Sequence, residues 1–135
     1  MHTTPSNALR WFRRVLGLGI LANLALAVPT LVAPGTMMTL MGLPLASPLL
    51  WPRFAALLLI LLSLFYSPAV FDPVRYRAVA WLAVASRLVG VVFFVGFQAP
   101  EYHVLGYFDL VFFLPEALLL AMSGRAAASV TGAYA

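Results

Sequence analysis

Apolar residues fill four long runs of the chain, with polar residues mainly between them. No acidic or basic side chain (Asp, Glu, Lys, Arg or His) lies between Arg14 and Arg53, or between Arg53 and Asp72. A helix needs about 20 consecutive apolar residues to cross the hydrocarbon core of a bilayer. We therefore predict a single all-α membrane domain over residues 1–135, built as a four-transmembrane-helix bundle. The predicted spans 1 to 4 cover about residues 8–32, 52–71, 73–97 and 105–123.

The stretch between spans 1 and 2, "APGTMMTLMGLPLASPLLWP", is uncharged but contains four of the ten prolines. Proline at this density prevents one continuous helix. Thr36 can cap a short helix over Met37 to Met41, and Gly42 can end it. We expect this short helix to lie in the membrane interface, on the outer side.

Local signals also suggest where the later spans begin and end. Ser67-Pro68 predicts an irregular end to span 2. Asp72 followed by Pro73 is a typical helix start, with aspartate as the cap and proline in the first turn. Gly124 predicts the end of span 4.

The composition supports a membrane location. The chain is 64% hydrophobic and 9% charged, whereas a soluble domain of this size needs more polar surface. All eight basic residues are arginine, and they lie mainly at the ends of apolar runs, where they meet anionic headgroups. We therefore expect a lipid bilayer as a partner and no nucleic acid. The absence of cysteine excludes disulfides, thiolate metal sites and cysteine nucleophiles.

The distribution of arginine predicts the orientation. One side of the membrane would hold Arg10, Arg13, Arg14, Arg75, Arg77 and Arg125, and the other side only Arg53. The positive-inside rule then places both termini in the cytoplasm. Arginine without lysine, together with abundant alanine, glycine and proline, indicates a GC-rich bacterial genome, so the expected location is the bacterial inner membrane.

A cleavable signal peptide is the alternative interpretation of span 1. "LRWFRR" resembles a basic n-region, "VLGLGILANL" an apolar h-region, and Ala25-Leu26-Ala27 a cleavage site of the small-x-small type. The apolar run nevertheless continues to Val32 and is long enough to span. This length favours a retained first span.

Arg87 stands in the middle of span 3, within "WLAVASRLVGVVFF". It lies roughly 15 Å from either surface at about 1.5 Å per residue, and an unpaired arginine there costs at least about 2.5 kcal/mol. Spans 3 and 4 form an antiparallel hairpin centred near Glu101. Arg87 precedes Glu101 by 14 residues and Glu116 follows it by 15 residues. We therefore predict an Arg87–Glu116 ion pair inside the bundle.

Asp109 lies seven residues before Glu116 and on the same helix face. Its depth, near the outer surface, suggests Arg53 as its partner. Three interpretations of these charges stay open. They can fix only the helix register, they can form a proton or ligand site on Glu116, or one of them can pair with another subunit.

Asn23 is a polar residue in the middle of span 1. A buried amide in a membrane helix needs a hydrogen-bond partner, and neighbouring helices commonly supply it. We therefore expect Asn23 to bond another helix.

Aromatic side chains concentrate in the outer halves of spans 3 and 4. They can form an aromatic belt in contact with lipid. Alternatively they form a docking surface for a partner subunit, a quinone, a pigment or a lipid. The residues are Phe93, Phe94, Phe97, Tyr102, Tyr107, Phe108, Phe112 and Phe113.

No residue pattern points to a catalytic or cofactor site. Neither His2 nor His103 lies within a span, so a bis-histidine haem is not expected. Met37, Met38 and Met41 together with His103 carry ligand atoms suited to Cu(I), but methionine also serves as adaptable apolar packing. Phosphate-binding loops and nucleophile elbows are absent from the sequence. We predict no cofactor, no metal and no enzymatic activity.

The layout resembles small bacterial four-span membrane proteins of the DoxX-like kind. The matching features are the basic run before span 1, the outer stretch "APGTMMTLMGLP", the arginine in "ASRLVGVVFF" and the opening "GYFDLVFF" of the last span. The resemblance implies a small accessory membrane protein, sometimes associated with redox complexes, and it supplies no catalytic residue.

The leading hypothesis is a non-catalytic accessory subunit, or assembly partner, of a larger inner-membrane complex. Its partners would be larger membrane-protein subunits. One alternative is a small transporter or carrier that uses Arg87 and Glu116. Another is a subunit that contacts a quinone, a pigment or a lipid through the outer aromatic residues.

Overall fold

Five α-helices make up most of the chain. The computed structural model describes residues 7–132, with side chains for residues 7–124, so His2 and the side chain of Arg125 lie outside the described residues. The helices are α1 (Asn7–Val32), α2 (Pro34–Leu40), α3 (Leu50–Phe71), α4 (Arg77–Val91) and α5 (His103–Gly132). A π-helix (Val92–Phe97) extends α4, and a 3-10 turn (Pro100–Tyr102) precedes α5. Residues 7–132 contain no strand, so the predicted all-helical class is confirmed.

Four segments are long and apolar enough to cross a membrane, as predicted. They are Asn7–Val32, Leu50–Phe71, Arg77–Phe97 and Pro100–Gly124, with lengths of 21 to 26 residues. Large apolar side chains such as Leu21, Leu64, Val89 and Val111 project outward from them. Apolar surface of this extent is unusual for a soluble monomer and suggests a multi-pass membrane protein.

Helix α1 is central to the packing of the bundle. It packs against α3, against α5 and against the short α2, while α4 packs closely against α5 and less extensively against α3. The shared core lies between the four long helices. It includes Phe12 and Leu16 of α1, Ala69 of α3, Ala80 of α4 and Leu120 of α5.

The short helix begins three residues before the predicted start. Pro34 occupies its first turn and Ala33 is the N-cap, so Thr36 is not the cap as predicted. Proline suits this position because its fixed φ matches the helix. An N–H group in the first turn would have no acceptor within the helix, so its absence costs nothing there. Gly42, with φ +70°, follows the helix as predicted, and the N–H of Leu43 donates back to the carbonyl of Met38 at 2.8 Å.

Helix α3 continues through Ser67 and Pro68 to Phe71, so the predicted irregular end is wrong. Pro68 has no N–H to donate to the carbonyl of Leu64. The hydroxyl of Ser67 donates to that carbonyl instead, at 2.7 Å. The serine thus replaces the hydrogen bond that the proline removes.

Helix α4 begins four residues after the predicted start. Asp72 does act as a cap, since its Oδ1 accepts from the N–H groups of Val74 (3.2 Å) and Arg75 (3.0 Å). These bonds close a turn over residues 73–76, and the helix begins only at Arg77. The capping signal therefore marks the turn before the helix.

Gly124 does not end α5, which continues to Gly132, so this prediction is wrong. The residues after Gly124 include three consecutive alanines, and alanine has the highest helix propensity. Gly124 instead lies against α4, because a Cβ at this position would be 2.7 Å from Nη2 of Arg77. The glycine permits close packing here.

Candidate functional site

Arg87 and Glu116 meet inside the bundle, where the depth argument places them. Arg87 is 5% exposed and Glu116 is 0% exposed. The Nε of Arg87 donates to both carboxylate oxygens of Glu116, at 3.3 Å to Oε1 and 3.2 Å to Oε2. The pair joins α4 to α5 at the middle of the bundle.

Asp109 also pairs with Arg87, so the predicted Arg53–Asp109 pair is wrong. The Nη1 of Arg87 donates to Oδ1 of Asp109 at 3.2 Å. Arg53 lies exposed near the start of α3, and α3 packs mainly against α1. Asp109 on α5 faces α4 instead. We call Arg87, Asp109 and Glu116 the charged cluster.

The guanidinium group suits this arrangement of two carboxylates. Asp109 and Glu116 are two helical turns apart, a rise of about 10.5 Å along α5. The planar guanidinium directs its five N–H donors outward in fixed directions. One side chain can therefore bond Glu116 through Nε and Asp109 through Nη1, and a lysine ammonium lacks this shape.

Two glycines make room for the charged cluster. A Cβ on Gly19 of α1 would lie 2.5 Å from Nη2 of Arg87 and 3.1 Å from Oε1 of Glu116. A Cβ on Gly90 of α4 would overlap Oδ2 of Asp109. Space is therefore available to these polar groups only because both positions lack a side chain.

The ring of Phe112 also lies beside the charged cluster. Its centroid is 4.8 Å from Cζ of Arg87, a distance typical of a cation–π contact. Phe112 was predicted to belong to the aromatic cluster in the outer halves of spans 3 and 4, as part of a lipid belt or a docking surface. It lies instead beside the charged cluster, and edge-on to Phe108 with centroids 5.5 Å apart.

The other aromatic residues divide between separate locations. Phe93 and Phe97 are exposed on the outer face of α4 and its π-helix extension, and Tyr107 is exposed on α5. Phe113 packs against the core. Intermediate exposure is shared by Phe113, Phe94, Tyr102 and Phe108. The structure therefore does not bring all these aromatic residues to one continuous surface.

An open apolar groove of about 370 Å³ follows the outer face of α4. Its lining is formed by Leu88, Val89, Val92, Phe93 and Phe97. None of the charged cluster residues reaches it. The groove is formed by this one segment, so it is shallow and open, and its lining is almost entirely apolar.

Asn23 bonds another helix, as expected. Its Nδ2 donates to Oγ of Ser63 on α3 at 3.4 Å, and the serine hydroxyl donates to the carbonyl of Leu59 at 2.8 Å. Asn23 is 4% exposed, and its Oδ1 has no hydrogen-bond partner within the described part of the chain.

Two of the candidate copper ligands, Met38 and His103, have other contacts in this structure. Met38 is buried and contributes to the packing of α2. The Nε2 of His103 lies 3.2 Å from the carbonyl of Gln98, and its ring is edge-on to Tyr107. Among residues 7–124, no group of three or more histidine, aspartate or glutamate side chains could hold a metal ion.

Sequence reasoning missed Gly19 as part of the site. A glycine one helical turn before the buried Asn23 is a signal, because it indicates a close approach on the same face of α1. The partner of that face cannot be identified from this spacing alone.

Comparisons with protein-family models, with curated proteins and with solved structures find no match to this chain.

Proposed function

We propose that this chain is a four-span protein of the bacterial inner membrane that serves as a non-catalytic subunit, or assembly partner, of a larger complex. One observation carries the proposal. The charged cluster, deep in the spans, is held together by its own ion pairs, while the outward faces are largely apolar and include an open groove on α4. Such a molecule presents its surface to lipid or protein partners.

Contacts at one end of the bundle support the proposed orientation. The Nε of Arg13, near the start of α1, donates to the carbonyl of Val70 near the end of α3, at 2.6 Å. Arg77, at the start of α4, lies against Gly124 of α5. The arginines of these segments therefore share one end, which the positive-inside rule assigns to the cytoplasm. Helix α2 would then lie at the outer interface.

Within residues 7–132, little of the chain lies outside the four long segments. The connections between the long helices are short, and the longest one contains the short α2. These described segments therefore offer chiefly helix faces to a partner. The DoxX-like resemblance is the basis for proposing association with a redox complex.

The groove favours a second candidate function. Phe93 and Phe97 line it together with three aliphatic side chains, and a quinone tail, a pigment or an acyl chain is an apolar group of suitable kind. Binding of a hydrophobic ligand there would make the chain a ligand-contacting subunit. In contrast, Glu116 is fully buried and already paired with Arg87, which does not favour the carrier alternative.

Extraction in mild detergent followed by native mass spectrometry tests the proposed function. We expect the chain to migrate with larger membrane subunits. Val92→Trp, within the groove, should weaken this association, while Val111→Trp, on the exposed face of α5, serves as the matched control.

Two outcomes are informative beyond simple co-migration. A chain that runs alone at its own mass from native membranes would contradict the subunit proposal. A quinone, pigment or lipid retained by the wild type and lost from Val92→Trp would favour the second candidate instead.

A further inference from the structure

One end of the bundle, where Arg13 contacts Val70 and Arg77 lies against Gly124, carries an excess of positive charge. We call it the basic end. Asp72 is the one acid among its described residues, so five arginines stand against one carboxylate. These arginines are Arg10, Arg13, Arg14, Arg75 and Arg77.

The described part of the chain does not neutralise these arginines. The ion pairs found within residues 7–124 all involve Arg87, in the middle of the bundle. Asp72 instead accepts from two backbone N–H groups of the turn that follows it. Arg10 and Arg14 lie one turn apart on α1, where like charges repel, and the positive end of the helix dipole adds to the repulsion. An external anion would relieve this repulsion.

The opposite end of the bundle has no such excess. Its charged residues are Arg53, at the start of α3, and Glu101, in the turn before α5. One arginine therefore stands against one acid at this end. The need for an external anion is confined to the basic end.

Two arginines of the basic end take part in the packing between helices. The Nε of Arg13 donates to the carbonyl of Val70 at 2.6 Å. The Nη2 of Arg77 occupies space that Gly124 leaves by lacking a side chain. These two arginines hold α1 to α3 and α4 to α5, so they are poor candidates for a ligand.

Arg14 and Arg75 are exposed, and each guanidinium lies over an aromatic ring. The Cζ of Arg14 is 5.1 Å from the ring centroid of Trp11, and the Cζ of Arg75 is 5.6 Å from that of Tyr76. A guanidinium stacked on a ring uses its flat face and keeps its N–H groups, which lie in its plane, available to an anion. Tryptophan and tyrosine also favour the depth of lipid headgroups.

We propose that the basic end binds anionic phospholipids, with Arg14 and Arg75 as the side chains that bond the phosphate groups. Guanidinium groups bond phosphate oxygens bidentately. The apolar neighbours indicate a lipid as the source of the phosphate. Leu18 is exposed one turn after Arg14, and Phe71 and Val74 are exposed just before Arg75. A phospholipid offers acyl chains to these side chains, whereas a free phosphate does not.

The bound lipid would lie in one leaflet only, the leaflet at the basic end, because the opposite end has no excess of positive charge. This inference depends on the membrane location. It does not depend on the subunit role, and it holds whichever side of the membrane the basic end faces.

Titration of the purified full-length protein in a neutral detergent with phosphatidylglycerol, followed by native mass spectrometry, tests the proposal. Phosphatidylcholine with the same acyl chains is the comparison, and we expect it to bind more weakly. Arg14→Gln with Arg75→Gln should weaken the binding of phosphatidylglycerol roughly 30-fold, since each arginine near an anionic headgroup contributes about fivefold in affinity. The binding of phosphatidylcholine should stay the same.

Arg53→Gln is the matched control, because it removes an exposed arginine from the opposite end. It should bind phosphatidylglycerol as the wild type does. The side chains of Arg14 and Arg75 make no hydrogen bond within residues 7–124, so the double variant should keep the fold. Circular dichroism and a thermal melt check this before the titration.

Three results would overturn the proposal. One is equal affinity of the wild type for the two lipids, and another is an equal loss of affinity in Arg53→Gln. The third is displacement of phosphatidylglycerol by inorganic phosphate at the same concentration, because the site would then lack a preference for lipid. Co-migration with larger subunits from native membranes is a separate measurement, so failure of either proposal can be distinguished.

Discussion

The interface between α4 and α5 and the interface between α1 and α3 both bury polar side chains, but they satisfy them to different degrees. Arg87 bonds two carboxylates through separate nitrogens, and Gly19 and Gly90 leave room for the groups involved. At the other interface, Asn23 makes one long hydrogen bond to Ser63, and its Oδ1 stays without a partner in the described chain.

This difference follows from the cost of burying each kind of group. A neutral amide oxygen without a partner costs about 1–3 kcal/mol, which a well-packed interface can offset. A bare ion inside a membrane costs at least about 2.5 kcal/mol and more at depth. The interface between α4 and α5 therefore needs partners for nearly all of its charged groups and a cavity that fits them. The interface between α1 and α3 tolerates one amide oxygen without a partner.

Removal of the arginine should have the largest effect on stability. Arg87→Leu leaves both carboxylates without their cation, and breaking a buried ion pair typically costs about 3–5 kcal/mol. We expect a loss of this size in the free energy of unfolding, measured by reversible denaturation in mixed micelles. Glu116→Leu should also destabilise, since it leaves Arg87 with Asp109 alone.

Combined substitutions sharpen this result. The double variant Arg87→Leu with Glu116→Leu should recover only part of the lost free energy of unfolding. The recovery is incomplete because Asp109 still lacks its arginine. Adding Asp109→Leu should recover more, as expected when a buried ionic group is replaced by apolar side chains. Strictly additive losses would argue against direct pairing.

Gly19 should give an intermediate effect. A methyl group in Gly19→Ala would press on Arg87 and Glu116, and overpacking of this kind costs about 1–3 kcal/mol. The matched control is Gly17→Ala, whose added Cβ would meet only Val70 Cγ1 at 3.7 Å. That substitution should be neutral or stabilise by up to about 1 kcal/mol through helix propensity. Equal effects at the two positions would contradict the proposed role of Gly19.

The amide interface should show the smallest effect. Asn23→Leu and Ser63→Ala should each change the free energy of unfolding by less than about 1 kcal/mol, and their coupling should be near the average of about 0.6 kcal/mol for hydrogen bonds between membrane helices. A double-mutant cycle measures this coupling. A value as large as that of the Arg87–Glu116 pair would remove the distinction between the two interfaces.

The sequence was sufficient to predict the number of long helices and the depth of Arg87 relative to Glu116. Both depend on regular quantities, namely the length of each apolar run and the constant rise per residue on either side of a tight turn. The spacing from Glu101 therefore places the two charges at similar depth without knowledge of how the helices pack.

The partner of Asp109 could not be predicted in the same way. Depth alone made Arg53 a candidate, and only the lateral arrangement of α3, α4 and α5 shows that Arg87 is within reach. The roles of Gly19 and Gly124 could not be predicted for the same reason, because each glycine makes room for a side chain on another helix. Sequence periodicity shows which face of a helix is buried, and it does not show which helix covers that face.

The order of the ion-pair partners along the chain has a consequence for biogenesis. Arg87 is synthesised 22 residues before Asp109 and 29 residues before Glu116, so a ribosome delivers the guanidinium ahead of both acids. Helix α4 released into lipid by itself would carry a naked cation, and this favours joint release of α4 and α5 from the insertion machinery as a hairpin. Helix α5 then docks on α1, so the fourth of these spans completes its contacts with the one made earliest among the four.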